Sequence, residues 1–243
     1  MVENDPLKEF AQRLRNDWLP TYCNDPKRRY AVAGYKASSN KVVPLDATDF
    51  LRAIENRVVQ DSGGGRYRVP KSEADVVIFW EGRKTKSPRP ITLSIEPVIT
   101  IASIARLHLD YGWPSRCLGM ESAKWQFDFT AFLSEASAAE HIAGEVKKSV
   151  RELDFLVEGL RASCQERGLD KASATPARIN AHKKWEGLCR SRSPLFWAVG
   201  PGGVSHLFSV SYGSQNEVCL REVSTERLAY PAEPIGPSRA SNA

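Results

Sequence analysis

The sequence lacks any apolar run approaching the roughly 20 residues that a membrane-spanning helix needs. Its first ten residues, MVENDPLKEF, are acidic and do not have the pattern of a secretory signal peptide. We therefore expect a cytoplasmic protein that has no membrane partner.

The chain is also poor in the residues that build disulfide frameworks and thiolate or imidazole metal sites. Its 5 cysteines form no C-x-x-C pair, and its 4 histidines show no metal-ligand spacing. The glycines at 63–65 are followed by no Gly-Lys-Ser/Thr, and no Gly-x-Ser-x-Gly elbow is present. These absences argue against a disulfide-built fold, a zinc finger, a phosphate-binding loop of the NTPase type and a serine hydrolase.

Length and charge set the scale of what is present. The chain has 243 residues, enough for one substantial domain with an elaboration, and its 34 basic against 29 acidic residues give a net charge of +5. This modest excess is compatible with a polyanionic partner. The basic, proline-containing segment 82–90 predicts a boundary between an N-terminal elaboration, 1–90, and a core, 91–231. The remaining residues, 232–243, lack apolar periodicity and predict a disordered tail.

Two predicted strands carry charged residues among apolar ones. In residues 126–132, QFDFTAF, side-chain alternation places Asp128 on one face. In residues 142–147, IAGEVK, the same alternation makes Glu145 and Lys147 project together from one face. Burying such groups unpaired would cost several kcal/mol, so a metal ion or a phosphate is the expected partner. The predicted opposite faces are apolar and consist of Phe127, Phe129 and Ala131 in the first strand and Ile142, Gly144 and Val146 in the second.

The elements around these strands have a definite order. Pro97 predicts the first turn of a helix, so Glu96 lies at the helix entrance. After Lys148, the capping box Ser149-Val150-Arg151-Glu152 begins another helix. The further predictions are helices at 5–18, from 48 and at 176–189, and strands at 74–80, 118–120, 195–200, 206–212 and 218–223, the last of them an antiparallel edge.

A helix with an entry glutamate, a strand, a strand with an aspartate, a strand with Glu-x-Lys and a second helix resemble the PD-(D/E)XK nuclease superfamily. The resemblance covers residues 93–160, with 195–200 as a further core strand. One departure is that Phe127 stands where the motif has its proline. The resemblance implies a restriction-endonuclease-like α/β fold, in which a mixed sheet is flanked by helices, and a metal-dependent nuclease that hydrolyses phosphodiester bonds in DNA.

The resemblance also implies a role for each matched residue. Asp128 and Glu145 would hold Mg²⁺, for which Mn²⁺ is a possible substitute, because magnesium prefers one or two carboxylates with water and substrate oxygens. The backbone carbonyl of Val146 would be a further ligand, and Glu96 would hold a metal-bound water or a second ion. Lys147 would orient or help to deprotonate the attacking water and offset charge on phosphorus.

Basic residues outside this motif are candidates for nucleic-acid binding. Lys148 is either a phosphate contact or a solvated residue. The basic residues near Trp185 combine charge with an aromatic ring, which suits a nucleic-acid backbone and equally suits the solvated face of a helix. DNA is the expected partner and RNA an alternative, and a homodimer would let two sites cut both strands. These further candidates are Lys183, Lys184, Arg190 and Arg192.

Three other interpretations stay open on the sequence alone. An aspartate 17 positions (145 − 128) before Glu-x-Lys is common by chance. Glu145 and Lys147 could be solvated residues on an edge strand. The fold could also serve as a catalytically inactive nucleic-acid-binding or assembly module. Finally, the chain could be an unrelated structural or interaction domain, if Asp128 and Glu145 lie far apart.

Overall fold

The computed structural model of the chain describes residues 5–25, 30–122, 126–165, 169, 173–213 and 217–231. These residues form a mixed α/β fold built on a six-stranded sheet that is flanked by helices. The predicted tail, 232–243, lies outside the described residues. None of the helices in the described ranges combines the length and the apolarity that crossing a bilayer requires.

In the described part of the chain, four α-helices precede the strands of the large sheet, and two more lie in the sequence between its strands β8 and β9. In chain order they are α1 (Pro6–Arg13), α2 (Leu19–Cys23), α3 (Pro44–Glu55), α4 (Ile95–Leu109), α5 (Val150–Gln165) and α6 (Pro176–Ser191). A π-helical segment, Leu14–Trp18, joins α1 to α2 without a break.

The strands form one large sheet and two small ones. Those of the large sheet are β6 (Leu118–Met120), β7 (Phe129–Phe132), β8 (Glu140–Val146), β9 (Leu195–Val199), β10 (Ser205–Tyr212) and β11 (Val218–Glu222), adjacent in this order. The pair β8 and β9 is parallel and the other pairs are antiparallel, so α5 and α6 form the crossover between β8 and β9. The small sheets contain β1 (Gln60–Asp61), β2 (Arg66–Arg68) and β3 (Val76–Val77), and β4 (Phe79–Glu81) with β5 (Ile91–Leu93).

The large sheet buries both of its faces, each against a different helical layer. One face, which includes Phe129 and Trp197, packs with α1, α3 and α4 in the larger hydrophobic core. The other face, which includes Ala143 and Phe196, packs with α5 and α6 in a second core. The middle strands β8 and β9 are therefore enclosed on both sides, as expected for a parallel pair in a helix-covered sheet.

Several predicted boundaries were wrong. The first helical stretch continues through Pro20 to Cys23, because the π segment closes with an i to i−5 bond from the Leu19 amide to the Leu14 carbonyl. Pro20 then lies in the first turn of α2, where a missing amide hydrogen costs little. Similarly, α3 begins at Pro44 rather than near residue 48, and the predicted strand 74–80 is divided into β3 and β4, which belong to different sheets.

The segments on the two sides of residue 90 are joined by direct contacts. Strands β4 and β5 pair across the 82–90 loop, and the larger core contains residues from both segments, Phe50 and Tyr67 on one side and Ile101 and Phe129 on the other. A division into an elaboration and a core stays a prediction.

A buried ion network fixes α4 against α3. The Arg106 guanidinium on α4 donates to Asp49 at 2.6 Å and to Asp46 at 2.9 Å, and all three side chains are almost fully buried. Asp46 also accepts the amide of Gly202 at 2.8 Å, in the turn that follows β9. The network thus positions α4, which carries Glu96 in its first turn, relative to the end of the sheet.

Removing the arginine leaves Asp46 with the Gly202 amide and Asp49 with Arg52, and both buried carboxylates lose the cation that they share. We expect Arg106→Met to lower the free energy of unfolding by about 3–5 kcal/mol, the typical cost of breaking a buried ion pair from one side. Arg116 is the control, because it is exposed and lies 3.8 Å from Glu135. In denaturant titration, Arg116→Met should change the free energy by less than about 1 kcal/mol. Equal effects of the two substitutions would contradict the assigned role of the network.

Candidate active site

Glu145 is a buried carboxylate in an interior strand. It lies on β8, which has β7 on one side and β9 on the other, and only 2% of its surface is exposed. The alternative of a solvated edge strand is therefore wrong. The predicted face is also correct, because Glu145 and Lys147 project together and their Oε1 and Nζ atoms lie 2.6 Å apart.

Asp128 lies directly before β7 and beside Glu145. Its amide donates to the Gly144 carbonyl at 3.0 Å, and its Oδ2 accepts the amide of Val146 at 2.7 Å. The Val146 amide thus donates to the Asp128 side chain, where a backbone carbonyl would accept it if the pairing of β7 and β8 continued. The bond to Val146 makes Asp128 a neighbour of Glu145, so the wide separation that would favour an unrelated structural or interaction domain is not present.

The predicted face of Phe127 was wrong. Phe127 packs in the second core near Phe196, whereas Phe129 packs in the larger core against Trp197. The reason is that the chain bends at Asp128 and regular strand geometry begins only at Phe129. Alternation cannot be extended through a bend, and this one directs the Asp128 carboxylate to the Val146 amide.

The environment of Asp128 favours its protonated form. Burial is the main cause, the negative charge of Glu145 adds to it, and together they raise the pKa of Asp128 to about 8. Lys184, the Val146 amide and Lys147 offset part of the increase. A carboxylate under these conditions gains most from a nearby cation.

Lys147 is held as a cation. Burial lowers the pKa of its ammonium, but Glu145, Asp128 and Glu96 outweigh burial and raise the pKa above its usual value. The same ammonium donates to the Val146 carbonyl at 3.0 Å, which places this predicted ligand at the site. In this arrangement Lys147 is suited to stabilising negative charge rather than to accepting a proton.

Glu96 reaches the site from the first turn of α4, where it was predicted to lie. Burial is the main reason that its pKa is raised, and the positive charges of Lys147 and Lys148 partly offset the effect of burial. The charge of Glu145 also acts on Glu96. The structure thus brings all four predicted catalytic residues into one electrostatic environment.

Helix α6 forms the opposite wall of the site. Lys184 lies 2.6 Å from Glu145 Oε2 and donates to the Gln126 carbonyl at 2.6 Å. The helix approaches closely because residue 187 is glycine, at which an added Cβ would lie 3.0 Å from the Phe127 ring. A close approach of backbone to side chain therefore makes the ion pair between helix and sheet possible.

Between strand and helix lies an open cleft of about 560 Å³. Glu145 and Lys147 line one side, and residues of α6 line the other. The residues of α6 are mostly basic but include one carboxylate, and they are Asn180, Lys183, Lys184, Glu186 and Arg190.

Two further basic candidates make other contacts. Lys148 pairs with Glu152 at 3.2 Å, and the Arg192 guanidinium lies 5.1 Å from the centre of the Tyr212 ring. Whether these residues or those of the cleft bind nucleic acid stays a prediction.

Sequence reasoning missed Glu121. This residue follows β6 in the left-handed conformation, with φ of 52°, and its amide donates to the Asp128 carbonyl at 2.9 Å. Burial raises the pKa of Glu121, and the charges of Lys184 and Glu145 act on it. A positive φ at a non-glycine residue is costly and is often found near functional sites. Nothing in the sequence around Glu121 indicates this conformation.

The residues fit a hard divalent cation through two carboxylates. Among the described residues, no group of three or more His, Cys, Asp or Glu is arranged to hold a metal ion. Magnesium, however, commonly uses only one or two carboxylates and completes its shell with water and substrate oxygens. Glu145 Oε2 is buried and already has a cation beside it, the Lys184 ammonium at 2.6 Å, and Asp128 lies nearby in an environment that disfavours its own charge. Both observations agree with a cation site at this pair.

The raised pKa of Asp128 predicts a pH-dependent effect of Asp128→Asn in EDTA. The folded protein holds the Asp128 proton more tightly than the unfolded chain does, so this residue costs the fold stability as pH rises from about 4 to about 8. A neutral asparagine removes the cost. We expect the gain in melting temperature to be larger at pH 8.5 than at pH 5.5. A gain that is equal at both pH values, or larger at pH 5.5, would contradict the assigned environment.

Comparison of the chain with family models, with curated proteins and with solved structures finds no match. The site itself consists of a buried carboxylate pair, a lysine on the same strand face as Glu145 and a helix rich in basic residues across an open cleft.

Proposed function

We propose that this chain is a metal-dependent nuclease that hydrolyses phosphodiester bonds in DNA, on a fold of the restriction-endonuclease-like, PD-(D/E)XK type. One observation carries the proposal: Asp128, Glu145 and Lys147 meet at the end of two adjacent strands, with Glu145 buried at 2% exposure. Buried charges at the edge of a cleft are costly, and such sites are often functional.

The site would hold Mg²⁺, or Mn²⁺ in its place, through the carboxylates of Asp128 and Glu145. When bound, such an ion supplies counter-charge and lowers the pKa of a bound water. The Val146 carbonyl, which accepts the Lys147 ammonium at 3.0 Å, would be a further oxygen ligand, and Glu96 would accept a hydrogen bond from a water in the cleft. In the reaction the water would give up one proton to the solvent of the open cleft as its oxygen bonds to phosphorus, the bond to the leaving oxygen would break, and the leaving oxygen would take up a proton from the same solvent.

Lys147 would stabilise the negative charge that develops on the phosphate oxygens. Its raised pKa keeps it protonated at neutral pH, so its role is electrostatic. Lys183 and Arg190, both exposed on the α6 side of the cleft, would neutralise the flanking phosphates. In this arrangement the strand side of the cleft would bind the reacting phosphate, and the α6 side would bind the neighbouring phosphates of the nucleic acid.

A second candidate function is a nucleic-acid-binding or assembly module without catalysis. The observation that favours it is that both oxygens of Glu145 already lie 2.6 Å from lysine ammonium groups. A carboxylate neutralised in this way needs no metal to be tolerated in the interior. Metal dependence separates the two candidates, because only the enzyme needs the ion.

The test is incubation of the purified protein with plasmid and single-stranded substrates in Mg²⁺, Mn²⁺ or EDTA. We expect cleavage that EDTA abolishes and that Asp128→Asn, Glu145→Gln and Lys147→Met each reduce by about 100-fold or more, the scale of losing one preorganised electrostatic group. Lys8→Met is the charge-matched control, since Lys8 is exposed on α1, and it should cut like the wild type.

Circular dichroism must show that each variant folds. Cleavage that persists in EDTA would reject a metal-dependent nuclease, and folded variants that cut like the wild type would reject the proposed site. Binding that survives EDTA without any cleavage would support the second candidate.

A further inference from the structure

Lys184 is the cation that several carboxylates of the site share. Its Nζ lies 2.6 Å from Glu145 Oε2, and burial raises the pKa of both Asp128 and Glu121 while the charge of Lys184 offsets part of that increase. The lysine belongs to α6, a crossover helix, whereas the three acidic residues belong to or flank strands of the sheet. Lys184 therefore approaches these acidic residues from a neighbouring helix and not from the sheet itself.

The two lysines that contact Glu145 do so differently. Lys147 donates a hydrogen bond to Oε1 at 2.6 Å, whereas Oε2 accepts no hydrogen bond although Lys184 lies at the same distance. The Lys184 ammonium instead donates to the Gln126 carbonyl. Lys184 thus supplies charge to Glu145 without a directional bond, which is what a bound cation would supply.

We propose that Lys184 is an internal counter-ion that occupies the cation position of the Asp128–Glu145 pair and moves away when a divalent ion binds. The inference rests on the proposed metal-dependent function. Lysine has a flexible four-carbon stem, so its ammonium can leave Glu145 while α6 stays in place. Once displaced it lies on the same wall of the cleft as Lys183 and Arg190, where a phosphate would pair with it.

The alternative role for Lys184 is purely structural, and it predicts the opposite effect on metal binding. If Lys184 only holds Glu145 in place, removing it should loosen the carboxylate and weaken binding of a divalent ion. If Lys184 competes with the ion, removing its charge should strengthen binding. The sign of the change in affinity therefore distinguishes the two roles.

The experiment measures Mn²⁺ binding by calorimetry at pH 8.5, without nucleic acid, for the wild type, Lys184→Met, Lys184→Arg and Lys183→Met. We expect Lys184→Met to bind Mn²⁺ about tenfold more tightly, the scale on which one neighbouring charge changes proton binding. Lys184→Arg keeps the charge and should not bind more tightly than the wild type. Lys183→Met, which removes the same charge from an exposed neighbour, should bind within about twofold of the wild type. Unchanged or weaker binding by Lys184→Met would overturn the proposal.

A second measurement needs no variant and so covers the case in which Lys184→Met does not fold. Lysine acetylation of the wild type, read by mass spectrometry, should label Lys184 faster at saturating Mn²⁺ than in EDTA, while labelling of exposed Lys183 should not change. Continued protection of Lys184 at saturating Mn²⁺ would overturn the proposal.

Cleavage assays on the same samples separate this proposal from the proposed function. Magnesium-dependent cutting by the wild type, together with weaker Mn²⁺ binding by Lys184→Met, would reject the counter-ion role and keep the nuclease. Tighter binding by Lys184→Met, with no cutting by any protein, would keep the counter-ion role and reject the nuclease. Absence of Mn²⁺ binding in every protein would overturn both the counter-ion role and the metal site.

Discussion

The burial of Glu145 in the middle of the sheet is the constraint on which the site depends. A charge in an interior strand needs counter-charge nearby, and the neighbouring residues of one strand supply only part of it. Lys147 pairs with one oxygen, and Lys184 approaches the other from α6. The crossover between β8 and β9 therefore does more than connect two parallel strands. Its helix α6 carries Lys184, the second lysine that pairs with Glu145, and the basic residues that line the cleft.

The other half of the site depends on a separate ion network. Arg106 binds Asp46 and Asp49 on α3, and this places α4 under the sheet with Glu96 at the end that faces Lys147. The two networks lie on opposite sides of the sheet, one within each helical layer. Each joins a helix to its neighbours through charge, while the surrounding packing is apolar. Hydrophobic burial gives most of the fold's stability, and the ion pairs select how the helices are aligned.

Sequence alone predicted those features that depend on local periodicity. The common face of Glu145 and Lys147 follows from alternation in one regular strand, and the helix after Ser149 follows from its capping box, in which Ser149 Oγ accepts the Glu152 amide. The face of Phe127 was wrong because alternation fails at the bend before β7.

Other features depend on contacts between distant segments, and no local pattern encodes them. The basic stripe of α6 is visible in the sequence, but its contact with Glu145 requires the path of the whole crossover. The pairing of Arg106 with Asp46 and Asp49 joins residues more than fifty positions apart. The left-handed Glu121 has no sequence signal at all.

Gly187 sets how closely α6 approaches the sheet, a distance that none of the charged residues controls. Because this residue has no side chain, the backbone of α6 rests almost directly on Phe127, and the gap between the two walls is set by main-chain contact. A methyl group at this position would widen the gap while leaving every carboxylate and ammonium in the chain. The width of the cleft between helix and sheet therefore depends on a position that brings no charged group to the site.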